Sequence, residues 1–310
     1  MRALFVFLLF VAAGCTRVED RIEPTLNYGI QDKYIQSLPS AFPPLTEAEK
    51  KEPFGKEMWL GLKFAQELDL YQAITCFKRS LFLMPADQKT RLEQLQYEIL
   101  LCYYMGRKWD DMKYTFDHSE LRYVSPSFPA FHDLLLILYE MYVELKMYAQ
   151  AQGILNLIQA HYPEEAQTLH LGTAIAKAEI PVIQEYAKVN PAIDTFLKEY
   201  TLKKKSVGKA QGLNALIPGA GYLYLGQTQS AITAFLLNGL FIGASVYFFE
   251  TKNIAAGAIF TGFEAGWYFG GIYGAGLEAK SYNERLYETL STPLMHKEKL
   301  FPGLRITYAF

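Results

Sequence analysis

Three cysteines, five histidines and a few carboxylates in apolar surroundings are the residues of this chain that could do chemistry. Cys15 follows Met1-Arg2, the apolar run 3–13 and Gly14, the place where a thiol becomes available once a leader is removed. Cys76 and Cys102 fall in helical apolar patterns, where a buried free thiol is the ordinary outcome; an oxidising compartment would also let them pair. Glu264 stands in the middle of an otherwise uncharged stretch, where a carboxyl group must be neutral or hydrogen-bonded and costs about 2–4 kcal/mol if it is neither. His161 and His170 lie near a helix junction, which suits solvated or capping roles, and Glu164 and Glu165 suit a helix first turn. No Ser-His-Asp order, Gly-x-Ser-x-Gly, phosphate loop or Cys/His pair at metal spacing is present, so the expectation is a non-enzyme with no cofactor, no metal and no catalytic residue.

The elements that position these groups follow from composition and periodicity. A chain of 310 residues has room for two domains. Just over half of it is apolar and 15% aromatic, with 20% charged, which predicts that part of it meets lipid. A net charge of -2 offers no basic field and argues against nucleic acid as a partner.

One positive charge, a short apolar core and small residues before residue 15 describe a secretory leader, too short to span a bilayer. Ala12-Ala13-Gly14-Cys15 resembles the bacterial lipobox, although Ala12 stands where Leu is commoner. That resemblance implies cleavage after residue 14, acylation of Cys15 and an exported repeat domain in the cell envelope, on the periplasmic side in a Gram-negative cell. Residues 15–46, with Pro24, Pro39, Pro43 and Pro44 among polar residues, then read as the lipidated terminus and an extended tether.

From Glu47 to Lys203 a 3.6-residue apolar period hardly stops, and it repeats. Leu70-Tyr71-Gln72-Ala73, Trp109-Asp110-Asp111-Met112 and Tyr148-Ala149-Gln150-Ala151 are offset by 39 residues, as are Phe77, Phe116 and Leu155. With Leu60, Gly61, Phe64, Ala73, Phe77 and Pro85 in the first copy, Tyr103 and Phe116 in the second and Tyr142, Ala151 and Pro163 in the third, these positions resemble the tetratricopeptide repeat. The second copy departs from that pattern at Leu100 and Met112, and the 39-residue period exceeds the usual ~34. The resemblance implies stacked helix pairs closed by helices over 164–178 and 181–200, and a concave face carrying Met58, Leu62, Tyr97, Leu101, Tyr104, Leu136 and Glu140. Two readings of that apolar face stand side by side: a groove for a protein partner, or a surface that packs under the tether and neighbouring helices.

Lys203, Lys204, Lys205 and Lys209 mark a change of regime. Runs 230–249 and 254–277 each have about the 20 residues that cross a bilayer as a helix, and read as an antiparallel hairpin. The stretch 217–226, with Pro218 and three glycines, predicts a short interfacial segment whose Tyr222 and Tyr224 suit the lipid–water boundary. It looks like the start of small bacterial membrane modules of the TM2-like kind. Gly239 and Gly243, and Gly262, Gly266, Gly270 and Gly274, form ridges that let helices approach closely in lipid. Asn238 falls near the depth of Glu264, so the two could bond to each other. Ridge and carboxyl occupy opposite faces, which leaves one of them for the interfacial segment, for example Tyr222, or for a second copy of the chain. The lysines beside the hairpin favour an inside location, whereas the leader favours export, and long exported domains cross largely regardless of charge. The tail 304–310 alternates in polarity, but one strand makes no barrel.

The expectation is thus an all-α chain divided as leader 1–14, tether 15–46, tetratricopeptide-like solenoid 47–202, transmembrane hairpin 203–285 with its interfacial segment, and tail 286–310. It would act as an envelope scaffold for a protein partner, with membrane lipid and a possible second copy as further contacts, or as a membrane-assembly helper or oligomeric conduit.

Overall fold

The structure, a computed structural model, describes residues 17–26 and 32–310; Cys15 and the leader lie outside the described residues. Among the described residues the chain is all helical, and the one β-type contact is an isolated parallel bridge between Ser40 and Ala309. Two compact units form, one from residues 32–173 and 295–310, the other from residues 17–26 together with 174–294. The chain passes from one unit to the other between residues 173 and 174 and again between 294 and 295.

The first unit opens with a short helix, α1 (Asp32–Ser37), and continues in three helix pairs: α2 (Pro53–Gln66) with α3 (Leu70–Leu83), α4 (Lys89–Met105) with α5 (Trp109–Asp117), and α6 (Phe131–Glu144) with α7 (Tyr148–His161). The second helix of each pair starts 39 residues after its predecessor, at Leu70, Trp109 and Tyr148. The turns repeat as well. Leu68, Arg107 and Lys146 all adopt positive φ, near 63°, 50° and 58°, and each begins the same double hydrogen bond: Leu68 to Ala65 and Asp69 to Phe64, Arg107 to Tyr104 and Lys108 to Tyr103, Lys146 to Val143 and Met147 to Tyr142. This is a left-handed helix stop, which usually takes glycine because a side chain there crowds the carbonyl. Packing within the first pair depends on small residues. A Cβ on Gly61 would lie 2.6 Å from the Phe77 ring, and Ala73 is fully buried. α8 (Pro163–Ala176) follows.

The second unit contains α9 (Ile180–Ala187), α10 (Pro191–Lys203), α11 (Val207–Leu216), α12 (Ala220–Tyr224), α13 (Thr228–Glu250) and most of α14 (Ile254–Lys297). The single helix expected over 181–200 is broken because Pro191 cannot continue it; Asn190 caps the new start by accepting from the Ala192 and Ile193 amides. α10 belongs to this unit, where Tyr287 of α14, fully buried, stands edge-on to Phe196 and Tyr200 at 5.2 and 5.3 Å and donates to the Ile175 carbonyl. Asn283 clamps the turn before α11, accepting from the Lys205 amide and donating to its carbonyl, both at 2.7 Å. Ser206 then caps α11 through the Lys209 amide.

Residues expected to form a free tether are instead packed, each part within its own unit. Val18 sits with Val207, Ala210, Leu225 and Ala279, while the Glu23 and Thr25 amides donate to Glu284 and Glu288. In the other unit Ile35, Phe42 and Leu45 enter the main core. They are few and stand among prolines and polar residues, which is why composition alone read them as linker.

Candidate functional site

The seven residues expected on the concave face lie together, and the chain itself covers them. Met58, Tyr97, Leu101, Tyr104, Leu136 and Glu140 are buried and Leu62 is half-buried against the same core. Phe42 reaches in from the N-terminal segment and forms a triad with Tyr97 and Phe128, with ring centroids 5.6 to 5.9 Å apart. Ile306, Ala309 and Phe310 close the same core from the C-terminal segment. Tyr104 donates to Glu140 inside it. In this conformation the face is not open as a groove.

Arg91 holds the N-terminal cover in place. Its guanidinium donates to the carbonyls of Pro43 and Pro44, to Gln94, and in a two-pronged contact to Glu49 at 2.8 and 3.1 Å. That contact, helped by Thr46, holds the Glu49 carboxyl down at about 2.

The C-terminal cover is held by a charged group whose members periodicity could not connect. Asp133, with no exposed surface, accepts from the Thr307 amide at 2.9 Å, the Thr307 hydroxyl at 2.9 Å and the Tyr308 amide at 2.7 Å. His132 bonds the same carboxylate at 2.8 Å and lies 3.6 Å from Glu165, which in turn takes a two-pronged contact from Arg305. The hydrogen bonds to Asp133 and then Glu165 raise the His132 imidazole to about 9, against its burial. The neighbours His132 and Asp133 were visible in the sequence; the partners of Asp133, Thr307 and Tyr308, 174 and 175 positions away, were not.

Deeper in the core, Glu98 is fully buried on α4 and both of its carboxyl oxygens lack a hydrogen-bonding partner. Burial pushes the group up to about 8. Cys102, one turn further along α4, is buried and, like Cys76, a free thiol; burial raises both. His161 stands edge-on to Phe131 at 5.6 Å, an aromatic packing role. Among the described residues no group of His, Cys, Asp and Glu could hold a metal ion.

In the other unit the apolar helices are covered on one side only. α13 buries Ala231, Ala234, Asn238 and Ser245, spaced along a single face, and leaves Phe235, Leu236, Leu240, Ile242 and Val246 exposed. Its contacts with α14 run through Phe241 with Phe263 and Phe248 with Phe260, at 6.3 and 5.2 Å. Among the described residues α13 is the one helix long and apolar enough to cross a membrane; the first half of α14 falls short because Glu264 and its many glycines lower its hydropathy.

The glycine ridges do not lie between these helices. A Cβ added to Gly239, Gly243, Gly262, Gly266 or Gly270 would meet nothing within 4 Å, and Gly274 instead faces the Tyr222 hydroxyl. On α13 the small face Ala231, Ala234, Asn238 and Ser245 takes the inner position, which leaves Gly239 and Gly243 outward. Gly266, Gly270 and Gly274 form with Trp267, Tyr222 and Ser230 part of the wall of a groove of about 680 Å³. The expected bond between Asn238 and Glu264 is not made. Asn238 donates to the Ala234 carbonyl, and Asn238 Oδ1 and Glu264 Oε2 are each buried without a partner.

The segment before α13 is rigidly built. Gly219 has φ of 92° and its Cβ position lies 2.3 Å from the Ala231 carbonyl oxygen, so only glycine fits there. Asn214 accepts from the Gly219 amide, Tyr268 donates to the Ala215 carbonyl, and the ammonium groups of Lys205 and Lys209 lie 4.9 and 5.0 Å from the centre of the Tyr224 ring.

No protein-family model, curated protein or solved structure matches this chain.

Proposed function

We propose that this protein is a non-enzymatic scaffold of the cell envelope, held to a membrane by α13 and the first half of α14 and presenting a tetratricopeptide-like helical domain to a protein partner. The observation that carries the reading is the row of exposed apolar side chains on these two helices, including Phe235, Leu236, Leu240, Phe263 and Trp267. A soluble chain rarely leaves so large a contiguous apolar surface uncovered, and α13, with 23 residues, is about 34 Å long, enough for the hydrocarbon core. Tyr222 and Tyr224, with Lys205 and Lys209 beside the latter, would sit at the lipid–water boundary. Acylation of Cys15 would supply a second anchor.

The test is extraction of membranes from cells expressing the full chain. Alkaline carbonate should leave the protein in the pellet, and replacing Leu236 and Leu240 with Lys in a chain that also carries Cys15→Ser should release it. Metabolic labelling with a clickable fatty acid, lost in Cys15→Ser, tests the lipid anchor separately. Release of the unaltered chain by carbonate, with no fatty-acid label, would overturn the reading.

A second reading, a membrane-assembly helper or oligomeric conduit, is favoured by the outward glycine ridges and by the partnerless oxygens of Asn238 and Glu264. It predicts that Gly266→Ile and Glu264→Gln reduce crosslinking between copies, or to another membrane protein, without changing membrane attachment.

A further inference from the structure

The C-terminal segment is bound to the first unit as a peptide ligand would be. Five of its hydrogen bonds are made by its backbone: Tyr34 donates to the Leu304 and Ile306 carbonyls at 3.1 and 3.0 Å, the Thr307 and Tyr308 amides donate to Asp133, and the Ala309 amide donates to the Pro39 carbonyl at 2.9 Å. Backbone bonds of this kind serve any extended chain, whatever its side chains. Selectivity is left to a few positions. Ile306, Ala309 and Phe310 are buried in the core, the Thr307 hydroxyl donates to Asp133, and Arg305 pairs with Glu165.

The berth also requires an occupant. Without the segment, Asp133 would keep only His132 of its four hydrogen-bonding contacts, and a carboxylate with no exposed surface would lose three donors at once. The backbone of α8 is shaped for a crossing chain as well: a Cβ on Gly172 would lie 2.3 Å from the Leu300 carbonyl oxygen, where the segment begins.

We propose that the berth of residues 304–310 is a recognition site for an extended peptide segment of another protein, and that the chain's own C-terminal segment is its resident, exchangeable ligand. The partner segment carries a hydroxyl residue where Thr307 stands and apolar residues where Ile306, Ala309 and Phe310 stand, with free amides at the positions of Thr307 and Tyr308. This deepens the scaffold reading by naming what the helical domain takes, and it holds or fails independently of the membrane anchor.

The experiment uses the full chain in detergent with a protease site inserted between Glu298 and Lys299, cleaved after folding so that the berth forms first. A fluorescent peptide of residues 300–310 is then added and followed by anisotropy. The expected result is exchange of the cleaved segment for the labelled one. Unlabelled peptides with Tyr308 replaced by residues other than Pro, but Arg305, the apolar positions and Thr307 kept, should compete within about tenfold. A peptide carrying Tyr308→Pro, which removes one donor to Asp133, should be weaker by at least about tenfold. Protection of Cys102 from alkylation reports that the domain stays folded throughout. Failure of the labelled peptide to enter while Cys102 stays protected would overturn the proposal. So would competition by the chain's own sequence alone, or indifference to Tyr308→Pro.

Discussion

Replacing Glu98 by Gln should make the first unit more stable at neutral pH and remove much of its sensitivity to alkali. The carboxyl lies fully buried on α4 without a partner for either oxygen and titrates near 8, against 4.5 for an ordinary glutamate. Its pKa is raised in the folded state, so the folded protein holds the proton more tightly; the associated stability is complete below pH 4.5 and is lost as pH rises through about 8. At 1.36 kcal/mol per pH unit, the loss between pH 6 and pH 9 is about 2–3 kcal/mol, and the group costs about 3 kcal/mol at pH 7 relative to acid. Gln keeps the shape and cannot ionise. The assay is alkylation of the buried thiol of Cys102, one turn away on the same helix, read by peptide mass spectrometry in the full chain and normalised at each pH to the urea-unfolded protein. Normalisation removes the intrinsic rise in thiolate with pH. His132, also raised, loses its own stabilising contribution between about pH 6.5 and 9 in both proteins, so the quantity to compare is the difference between the two slopes. Parallel curves for the original chain and Glu98→Gln from pH 6 to pH 9 would refute the reasoning, because they would mean that Glu98 is not held neutral by its burial.

Arg107→Gly and Lys146→Gly should each stabilise the fold by about 0.5–1 kcal/mol in urea melts, since both residues adopt the left-handed conformation that a side chain disfavours; a loss of stability in both would argue against the repeated turn. Arg91→Ala should free the N-terminal cover, cost about 2–3 kcal/mol and open 43–52 to limited proteolysis. The Glu49–Arg91 contribution should persist above about pH 4.5 and fade as pH falls through about 2, because the folded pKa of Glu49 is depressed, and Arg91→Ala should abolish that acid dependence. Phe42→Ala removes one ring of the triad over Tyr97 and should cost about 3–5 kcal/mol, measured by thermal unfolding of the full chain in detergent.

The helical class, the 39-residue step and the starts of α3, α5 and α7 were legible in the sequence because they are local: a 3.6-residue apolar period and a repeated spacing need no knowledge of distant residues. The apolar character of 230–249 was equally plain. The same local logic explains the misses. Pro191 split a predicted helix, and α14 ran on to Lys297 past the end of its apolar stretch, with Pro293 inside it, because contacts such as Tyr287 with Phe196 and Tyr200 support it there. Only the tertiary structure decided that the face of Met58, Tyr97 and Leu136 is covered, since its covers come from Phe42 on one side and Ile306 and Phe310 on the other, and no pattern in either segment names its target. The same holds for the glycine ridges, whose spacing shows that a smooth face exists but not which way it turns. For Gly239 and Gly243 that was decided by Ala231, Ala234, Asn238 and Ser245, which formed the competing inner face of α13. Periodicity specifies which faces a helix has; which face is buried depends on what the rest of the chain brings to it.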